Sequence, residues 1–393
     1  MERVKGRNNN KLNEKIKSSV AKKIHIVGID YTLYISVILL VLIGIVMVFS
    51  ASYYIAVTQH HVGRFHYLRA QSIAAVLGFV IMILVSNFNY RYTKSFVNLF
   101  YFISIGMLVL VIATGLTAGG AQRWLYIPVI GLTFQPSEVV KLALIMMVSN
   151  LISKKSNKNL LNSFFGTAFV SMFILIPMLL INTQNLSTVI ILAIIGFGII
   201  FIASPFTAVF VGLGVAATAG LTVFLAFFAQ GFRAGRFEAW LNPFADPTDT
   251  GFQTVQSLYA IGSGGIFGMG LGQSRQKLGF IPEAHNDIIF SVIVEELGLL
   301  GGGLILFLFG VLLWRAIKIA VNAGDLFGSL IATGIAIMIG SQTIINVGVV
   351  TNAIPNTGVP MPFISYGGTS LMITMASIGL LLSISRYTKK LGD

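Results

Sequence analysis

The chain has 393 residues, of which 55% are hydrophobic and 10% charged, and its mean hydropathy is +0.86. A soluble globular domain carries about 25% charged residues, so this composition excludes that class and indicates a polytopic membrane protein. The sequence contains no cysteine, which excludes disulfides and thiolate metal sites.

A strongly basic segment opens the chain. The first 25 residues hold eight Lys or Arg, and the net charge of the whole chain is +13. A basic segment can bind nucleic acid, but this one directly precedes an apolar run, and a basic flank keeps its side of a span in the cytoplasm. No small-residue cleavage site follows the run, so it is not a cleaved signal peptide. We predict a cytoplasmic tail over residues 1–29 and no nucleic-acid partner.

Apolar runs of about 18 or more residues predict ten transmembrane helices and an all-α fold. The boundaries on either side of the sixth run rest only on the short polar stretches "INTQNLST" and "SPF". The predicted spans cover residues 31–50, 68–86, 97–116, 136–153, 163–181, 186–203, 206–229, 286–314, 327–350 and 365–385.

The placement of the basic residues predicts the orientation. With the N-terminus inside, the inner segments hold 18 Lys or Arg and the outer segments hold 7. This excess fits the positive-inside rule, and an even number of spans returns the C-terminus to the inner side. We predict a transmembrane domain over 30–387 and a cytoplasmic C-terminus over 388–393.

A long extracytoplasmic loop joins spans seven and eight. It covers residues 230–285, and Pro243, Pro247 and Pro282 interrupt it together with the glycine-rich stretches "GSGG" and "GMGLG". Long loops of this kind are usually functional or disordered. Because this loop contains amphipathic stretches such as "FQTVQSLYAIG", we expect it to be ordered and to lie on the membrane surface.

Two opposite charges lie in the fourth span, which begins "QPSEVVKLALI". Glu138 and Lys141 are three residues apart and therefore share a helix face. They form either a neutral pair that lets the helix insert or a charged site that opens to water. Ion pairs inside membranes are usually functional, but the spacing alone does not decide between the two interpretations.

Three carboxylates accompany the eighth span. Asp287 is placed to act as a helix N-terminal carboxylate, which alone would explain an acid there. Glu295 and Glu296 lie deeper and are turned about 80° and 180° from Asp287, so they cannot both share its face. We expect both glutamates to be structural, bonding neighbouring helices or broken backbone in the neutral form.

The predicted topology gathers polar groups from unrelated segments at the outer side. That pattern indicates an outward-facing site more than a channel that is polar along its length. The sequence has no P-loop, HExxH or GxSxG motif, which argues against an ATPase engine of the P-loop type. The residues gathered outside are Glu138, Lys141, Asp287, Arg123, Arg233, Arg236, Lys277 and the turn 363–370, with Ser365, Gly367 and Gly368.

Long motifs identify a resemblance that covers residues 30–387. They include "IGIVMVFSAS", "GAQRWLYIPVIGLTFQPSEVVKLALI", "SRQKLGFIPEAHNDIIFSVIVEELG" and "NTGVPMPFISYGGTSL". Together they resemble the SEDS family (shape, elongation, division and sporulation), and the wording "SRQKLGFIPEAH" is closest to its FtsW and SpoVE branch. One departure is "TQNLST", where many relatives carry "QPDLGT", so that Asn185 stands where Asp is common.

The resemblance implies a bacterial peptidoglycan glycosyltransferase of the cytoplasmic membrane that polymerises lipid II on its outer face. It implies a class B penicillin-binding protein as partner, together with other division or sporulation membrane proteins. The family's catalytic Asp matches Asp287, and the family's cavity residues match Glu138 and Lys141. Asn185, Ser365, Gly367 and Gly368 are assigned to the same cavity.

On this reading Asp287 is the general base, and cations stabilise the departing pyrophosphate. No cofactor is certain, although a divalent cation such as Mg²⁺ could share that task. Two alternatives stay open, a lipid II flippase and a non-catalytic division scaffold. The candidate cations are Lys141, Arg123, Arg233, Arg236 and Lys277.

Overall fold

The computed structural model describes residues 28–58, 61–118, 121–127, 132–154, 160–182, 184–205, 240–247 and 251–388. Within these residues, nine helices are long and apolar enough to cross a membrane. They are α1 Tyr31–Thr58, α2 His66–Asn87, α3 Val97–Thr114, α4 Pro136–Ser153, α5 Phe164–Ile181, α6 Leu186–Ala203, α8 Ile289–Asn322, α9 Leu326–Val350 and α10 Gly368–Arg386, with the shorter α7 Phe252–Gly264 between α6 and α8.

These nine helices confirm nine of the predicted spans, including the weakly marked boundary between the fifth and sixth. The largest differences lie at the C-terminal ends of α1 and α8, which extend to Thr58 and Asn322 where the sequence predicted ends at 50 and 314. The predicted seventh span, 206–229, lies outside the described residues, so the count of ten stays a prediction.

Helix α4 lies at the centre of the bundle. In α4, 94% of the residues are buried, against 28% in the apolar stretch of α2, and α4 is the less apolar of the two helices. It packs against α3, α5, α6, α9 and α10. A helix enclosed on all sides by protein does not have to be apolar enough for lipid, which explains how α4 accommodates Glu138 and Lys141.

A small antiparallel sheet interrupts the helices between α3 and α4. Strands β1 Leu116–Ala118, β2 Ala121–Ile127 and β3 Leu132–Phe134 pair in the order β1-β2-β3. The sequence analysis predicted no strand here, because a seven-residue β2 between two apolar spans gives only a weak periodic signal. The sheet positions Arg123 in the middle of β2.

The loop before α8 enters the bundle, so the expectation that it lies on the membrane surface is wrong for its inner part. Backbone amides of Met269 and Gly270 donate to the carbonyls of Glu295 and Glu296, at 2.9 Å each. Those carbonyls lie about 10 Å into α8 at 1.5 Å per residue. The backbone groups of this re-entrant loop are satisfied by protein, as non-helical backbone at membrane depth requires.

Helix α8 breaks where the re-entrant loop meets it. Gly298 has φ +70° and ψ −174°, values foreign to a helix. A Cβ at this position would overlap the backbone of Ile266 and Gly268, so both the dihedral angles and the close approach require glycine. The amides of Leu299 and Leu300, freed by the break, donate to loop carbonyls at 2.9 and 3.1 Å.

Two ion pairs close the opposite end of the bundle. Arg315, seven residues before the end of α8, binds Asp30, which precedes α1, with Nη2 2.6 Å from Oδ2. Arg91, between α2 and α3, binds Asp325, the N-cap residue of α9, at 2.9 Å. Both pairs lie in the part of the bundle that the charge pattern predicts to be cytoplasmic.

Candidate functional site

Asp287 lies just outside α8. The helix begins at Ile289 with Ile288 as its N-cap residue, so Asp287 is not the helix N-terminal carboxylate that the sequence suggested. Its carbonyl accepts a hydrogen bond from Nδ2 of Asn346 in α9 at 2.7 Å, and the same amide donates to the carbonyl of Val359 at 2.8 Å. One buried amide therefore holds the Asp287 backbone against the chain that follows α9.

That chain, residues 351–367 between α9 and α10, is named the outer segment after the side of the membrane that the charge pattern predicts for it. Gly358 has φ +66°, and a Cβ built on it would lie 3.4 Å from Oδ2 of Asp287. The carboxylate of Asp287 thus lies against the backbone of the outer segment and is partly exposed.

A second contact joins the Asp287 region to the outer segment. The amide of Tyr366 donates to the carbonyl of His285 at 2.9 Å. The Tyr366 ring also lies 5.4 Å from the His285 ring and 5.1 Å from the ring of Tyr67 in α2, between centroids. Burial raises the pKa of Tyr366, so its phenol stays protonated at neutral pH.

Gln71 in α2 fixes the last turn of the outer segment. Its fully buried side chain donates to the carbonyl of Ser365 at 3.2 Å and accepts from the amide of Gly367 at 3.3 Å. Oγ of Ser365 accepts from the amide of Met361 at 2.8 Å. The side chain of Ser365 and the backbone of Gly367 are therefore used inside the turn, and Gly368 begins α10.

The same turn contains a strained residue. Phe363 has φ +64°, which is unusual for a bulky side chain. Gly44 in α1 permits the close approach of the turn, because a Cβ there would lie 2.5 Å from the Phe363 carbonyl oxygen. Such strain persists only where the surrounding structure enforces it, and it clusters at functional sites.

The Glu138–Lys141 pair contacts the beginning of α10. Nζ of Lys141 lies 2.9 Å from Oε1 of Glu138, and both residues are buried. Oε2 of Glu138 accepts from Oγ of Ser370, also at 2.9 Å. Ser370 is three residues beyond the outer segment, so the pair is linked through the start of α10 to the turn that holds His285.

Arg123 reaches the same region from the sheet. Its Nε donates to the carbonyl of Gln184 at 2.9 Å, and burial lowers the pKa of the guanidinium, which nevertheless stays charged at neutral pH. At the start of α6, Oγ of Ser187 donates to the carbonyl of Thr357 in the outer segment. Arg123 is thus linked through α6 to the residue next to Gly358.

Asn185 caps helix α6. Its side chain accepts a hydrogen bond from the amide of Thr188 at 3.2 Å. An Asp at this position could cap the helix equally well, so the departure from the family pattern preserves the local structure. The contact accounts for Asn185 as a helix cap.

Lys277 is placed differently from the cavity position that the sequence analysis gave it. Its Nζ lies 2.6 Å from Oε1 of Glu296 and 2.9 Å from Oγ of Ser50 in α1, and it is 6% exposed. Glu296 also accepts from the amide of Gly272 at 2.9 Å. Glu296 therefore forms an ion pair with Lys277, where the sequence analysis expected a neutral carboxyl. The same ion pair occupies Lys277, which the sequence analysis expected to contact pyrophosphate.

Glu295 holds the other side of the re-entrant loop. It accepts from Oγ of Ser274 at 2.5 Å and from the amides of Arg275 and Gln276 at 2.9 and 3.4 Å. These contacts suit the structural role predicted for both glutamates. They lie on the loop rather than on the outer segment.

The outer segment therefore connects Asp287 and the start of α6 near Arg123, and the first turn of α10 that follows it contacts the Glu138–Lys141 pair. Lys277, Glu295 and Glu296 form a separate cluster. Arg233 and Arg236 lie outside the described residues. Sequence reasoning missed Gln71 and Asn346 as connectors, although each is an amide within an otherwise apolar span. That was the available signal, since an amide in a span needs partners.

A metal site was also considered. Among the residues that the structure describes, no group of three His, Asp or Glu side chains could hold a metal ion.

The fold and the site define a multi-pass helical membrane protein with a polar site at one end of the bundle. The sequence profile of the FtsW/RodA/SpoVE family, described as cell cycle proteins, matches residues 31–390. The chain belongs to this family and is a multi-pass protein of the cytoplasmic membrane.

Individual relatives agree with this assignment. The chain is 41% identical to stage V sporulation protein E of Bacillus subtilis, over 92% of this chain and 98% of the relative. It is 37% identical to a probable peptidoglycan glycosyltransferase FtsW of Geobacter sp., over 91% of this chain and 97% of that protein.

Solved structures share the fold. The chain resembles Thermus thermophilus RodA, a rod shape determining protein, with a TM-score of 0.67 and 26% identity over 92% of this chain and 97% of that one. A chain from a structure described as a peptidoglycan synthase complex, coordinating polymerization and crosslinking, gives a TM-score of 0.76 at 28% identity, covering 93% and 99% of the two chains.

Proposed function

We propose that this protein is a peptidoglycan glycosyltransferase that polymerises lipid II at the outer face of the cytoplasmic membrane. Relatives aligned over nearly their whole length carry that activity in their names, and the solved complex is described as a peptidoglycan synthase. The observation that carries the proposal is the outer segment with the first turn of α10 that follows it. Together they contact Asp287, the start of α6 near Arg123 and the Glu138–Lys141 pair.

Asp287 is the general base in this proposal. Its carboxylate takes the proton from the 4-hydroxyl of the acceptor GlcNAc as that oxygen attacks the anomeric carbon of the donor MurNAc. The new C–O bond forms as the bond to undecaprenyl pyrophosphate breaks, with inversion at that carbon. Positioned base catalysis contributes about 10²–10⁴-fold. Asn346 supplies the positioning, because its side-chain amide binds the backbone carbonyl of Asp287 and so fixes the residue that bears the carboxylate.

Positive charge is needed where the pyrophosphate leaves. Arg123 supplies a cation. Its hydrogen bond goes to the neutral carbonyl of Gln184, so its charge is available to phosphate. Lys141 is oriented by Glu138, whose carboxylate in turn accepts a hydrogen bond from Ser370. Lys277 takes no part in the proposal, because Glu296 already neutralises it.

The site faces outward if the basic residues set the topology. The opposite end of the bundle holds Arg91, Lys94, Arg315 and Lys318, and the basic flanks of spans stay in the cytoplasm. Polymerisation outside the cell requires a donor that carries its own leaving group, which a lipid-linked pyrophosphate does.

A class B penicillin-binding protein is the proposed partner and supplies the crosslinking step. The description of the solved complex, which couples polymerization with crosslinking, supports this assignment. Other division or sporulation membrane proteins are further candidates, as the sporulation relative suggests.

The test is Asp287→Asn in the full chain, purified with its partner and assayed for lipid II polymerisation on gels. Glu283→Gln is the matched control, because it removes an exposed carboxylate four residues away. We expect the Asp287 variant to lose product at least about 10²-fold with the complex intact, and the control to keep its activity. Polymer at the wild-type rate from Asp287→Asn would remove Asp287 from the mechanism. Translocation of labelled lipid II without polymer from the wild type would favour the flippase instead.

A further inference from the structure

A lateral groove lies between the outer halves of α2 and α10. Its cavity volume is about 490 Å³, and its wall is mainly apolar. Small residues create it: Ala70 and Ala74 on α2 face Gly368 at the start of α10, and a Cβ on Gly368 would lie only 3.5 Å from that of Ala74. Ile73 and Leu77 form its open side and are 59% and 42% exposed.

The outer mouth of the groove is positively charged. Arg64 and Arg69 line it, and among the described residues neither forms an ion pair with a carboxylate. Arg64 lies over the ring of Phe65, 4.8 Å from its centroid. Guanidinium groups at the mouth of an apolar groove match a ligand with a phosphate head and a hydrocarbon chain.

The chain of such a ligand has a continuous path. Ile73, Leu77, Val80 and Leu84 recur on one face of α2 at helical spacing, and all four are exposed. This strip leads from the groove toward the opposite side of the membrane. From Ile73 to Leu84 the strip is about 17 Å long at 1.5 Å per residue, which accommodates the isoprene units nearest the phosphate.

The inner wall of the groove belongs to the candidate site. Tyr366 and Thr369 line the groove, while the Tyr366 amide binds the His285 carbonyl and the neighbouring Ser370 binds Glu138. A phosphate head at the groove mouth is therefore separated from the site only by the turn that builds it. An ordinary phospholipid would gain nothing from that adjacency, whereas a lipid-linked reactant would.

We propose that this groove binds the polyprenyl chain of the lipid-linked pyrophosphate, with Arg64 and Arg69 contacting its phosphates. The inference rests on the proposed function for the identity of the lipid. It also supplies two cations in place of Lys277, whose charge is neutralised inside the protein.

The test measures retention of undecaprenyl pyrophosphate by the purified full chain, using native mass spectrometry in the presence of excess phosphatidylglycerol. Ala70→Phe fills the groove, and Arg64→Gln with Arg69→Gln removes its charge. Val76→Phe is the matched control, because Val76 is 62% exposed on the same helix but does not line the groove. We expect both groove variants to lose retention about tenfold or more and the control to keep it, with melting temperatures alike.

Two results would overturn the inference. One is wild-type retention by both groove variants, and the other is complete displacement by phosphatidylglycerol, which would make the groove a general phospholipid site. Lipid retention is measured without turnover, so a negative result there contradicts only the groove. Failure of the proposed function would appear instead as a wild-type complex that makes no polymer. With active complex, Ala70→Phe should also raise the KM for lipid II more than it lowers kcat.

Discussion

Two buried ion pairs of the same chemistry are connected in different ways. Glu138–Lys141 joins residues three apart on the enclosed helix α4, and its outside contact is Ser370 at the start of α10. Lys277–Glu296 joins the re-entrant loop to α8 and, through Ser50, to α1. The first pair needs no other element to form, whereas the second exists only when three elements have assembled.

This difference distinguishes the pair proposed to be functional from a pair whose contacts are structural. A buried pair is costly to break and contributes little net stability when intact, so burial alone does not reveal its purpose. The Lys277–Glu296 pair holds non-helical backbone at membrane depth, where unsatisfied groups are costly. The Glu138–Lys141 pair instead contacts Ser370, close to the turn whose Tyr366 amide binds the carbonyl of His285 near Asp287. This is the arrangement expected of a functional pair.

The largest expected effect is on folding, from Lys277→Met. It leaves Glu296 buried without its counter-charge, which costs about 3–5 kcal/mol. We expect little folded protein, measured as the monodisperse fraction and the melting temperature in detergent. The double variant Lys277→Met/Glu296→Gln removes both charges and should recover much of the loss. Equal melting temperatures for Lys277→Met and the wild type would show that the pair is not a structural tie.

The next effect is on activity, from the corresponding double variant Lys141→Met/Glu138→Gln. It also removes both charges, so we expect folded protein, but polymerisation of lipid II should fall by at least about tenfold. Per mole of folded protein, the Lys277→Met/Glu296→Gln variant should keep its activity. The comparison between the two pairs fails if both double variants lose activity equally.

Most of the bundle was predictable because spans depend on local composition. The apolar runs place nine helices, and the sequence predicts both ends of α4 and α6 as the structure shows them. The outward placement of Asp287, Glu138 and Lys141 came from charge counting across loops and stays a prediction. The apolar runs can be recognised within a single segment, and the orientation follows from adding the basic residues of several loops.

The remainder depends on contacts between distant segments. Nothing local to Lys277 distinguishes it from a phosphate ligand, because its partner Glu296 and its hydroxyl contact Ser50 lie in other elements. The positive φ of Phe363 and the break at Gly298 are likewise imposed by neighbouring backbone. The amphipathic stretch in α7 suggested a surface location, but a re-entrant segment packed on α8 shows the same pattern.

A smaller effect sharpens the structural side of the comparison. Gly298→Ala places a Cβ against the backbone of Ile266 at a left-handed φ, which should destabilise the protein by about 1–3 kcal/mol. The matched control is Gly303→Ala in the same helix, where no atom lies within 4 Å of the added Cβ. Thermal melts should show a clear loss for the first variant and none for the second. An unchanged melting temperature for Gly298→Ala would mean that the backbone of the re-entrant loop does not lie in close contact with α8 at this position.

The smallest effect concerns the inner end of the bundle. Burial raises the pKa of Asp325, but hydrogen bonds from the Gly328 amide and Arg91 outweigh it and hold the pKa below the ordinary value of 3.8. A depressed carboxylate pKa stabilises the fold above pH 3.8, and that contribution is lost as the pH falls through the lower, folded-state pKa. Asp325→Asn should therefore lower the melting temperature slightly at pH 7 and less at pH 3. A gap that widens in acid would contradict the assignment.

The most direct test of the outward-facing site uses the absence of cysteine in the native chain. Asp287→Cys and Ser370→Cys, both partly exposed positions, are introduced singly in intact cells with the outer envelope opened, and a membrane-impermeant thiol reagent is added. Lys94→Cys, at the opposite end of the bundle, is the control. The account predicts that 287 and 370 react from outside and that 94 reacts only after the cytoplasmic membrane is permeabilised. Labelling of 287 or 370 only from the cytoplasmic side would contradict it.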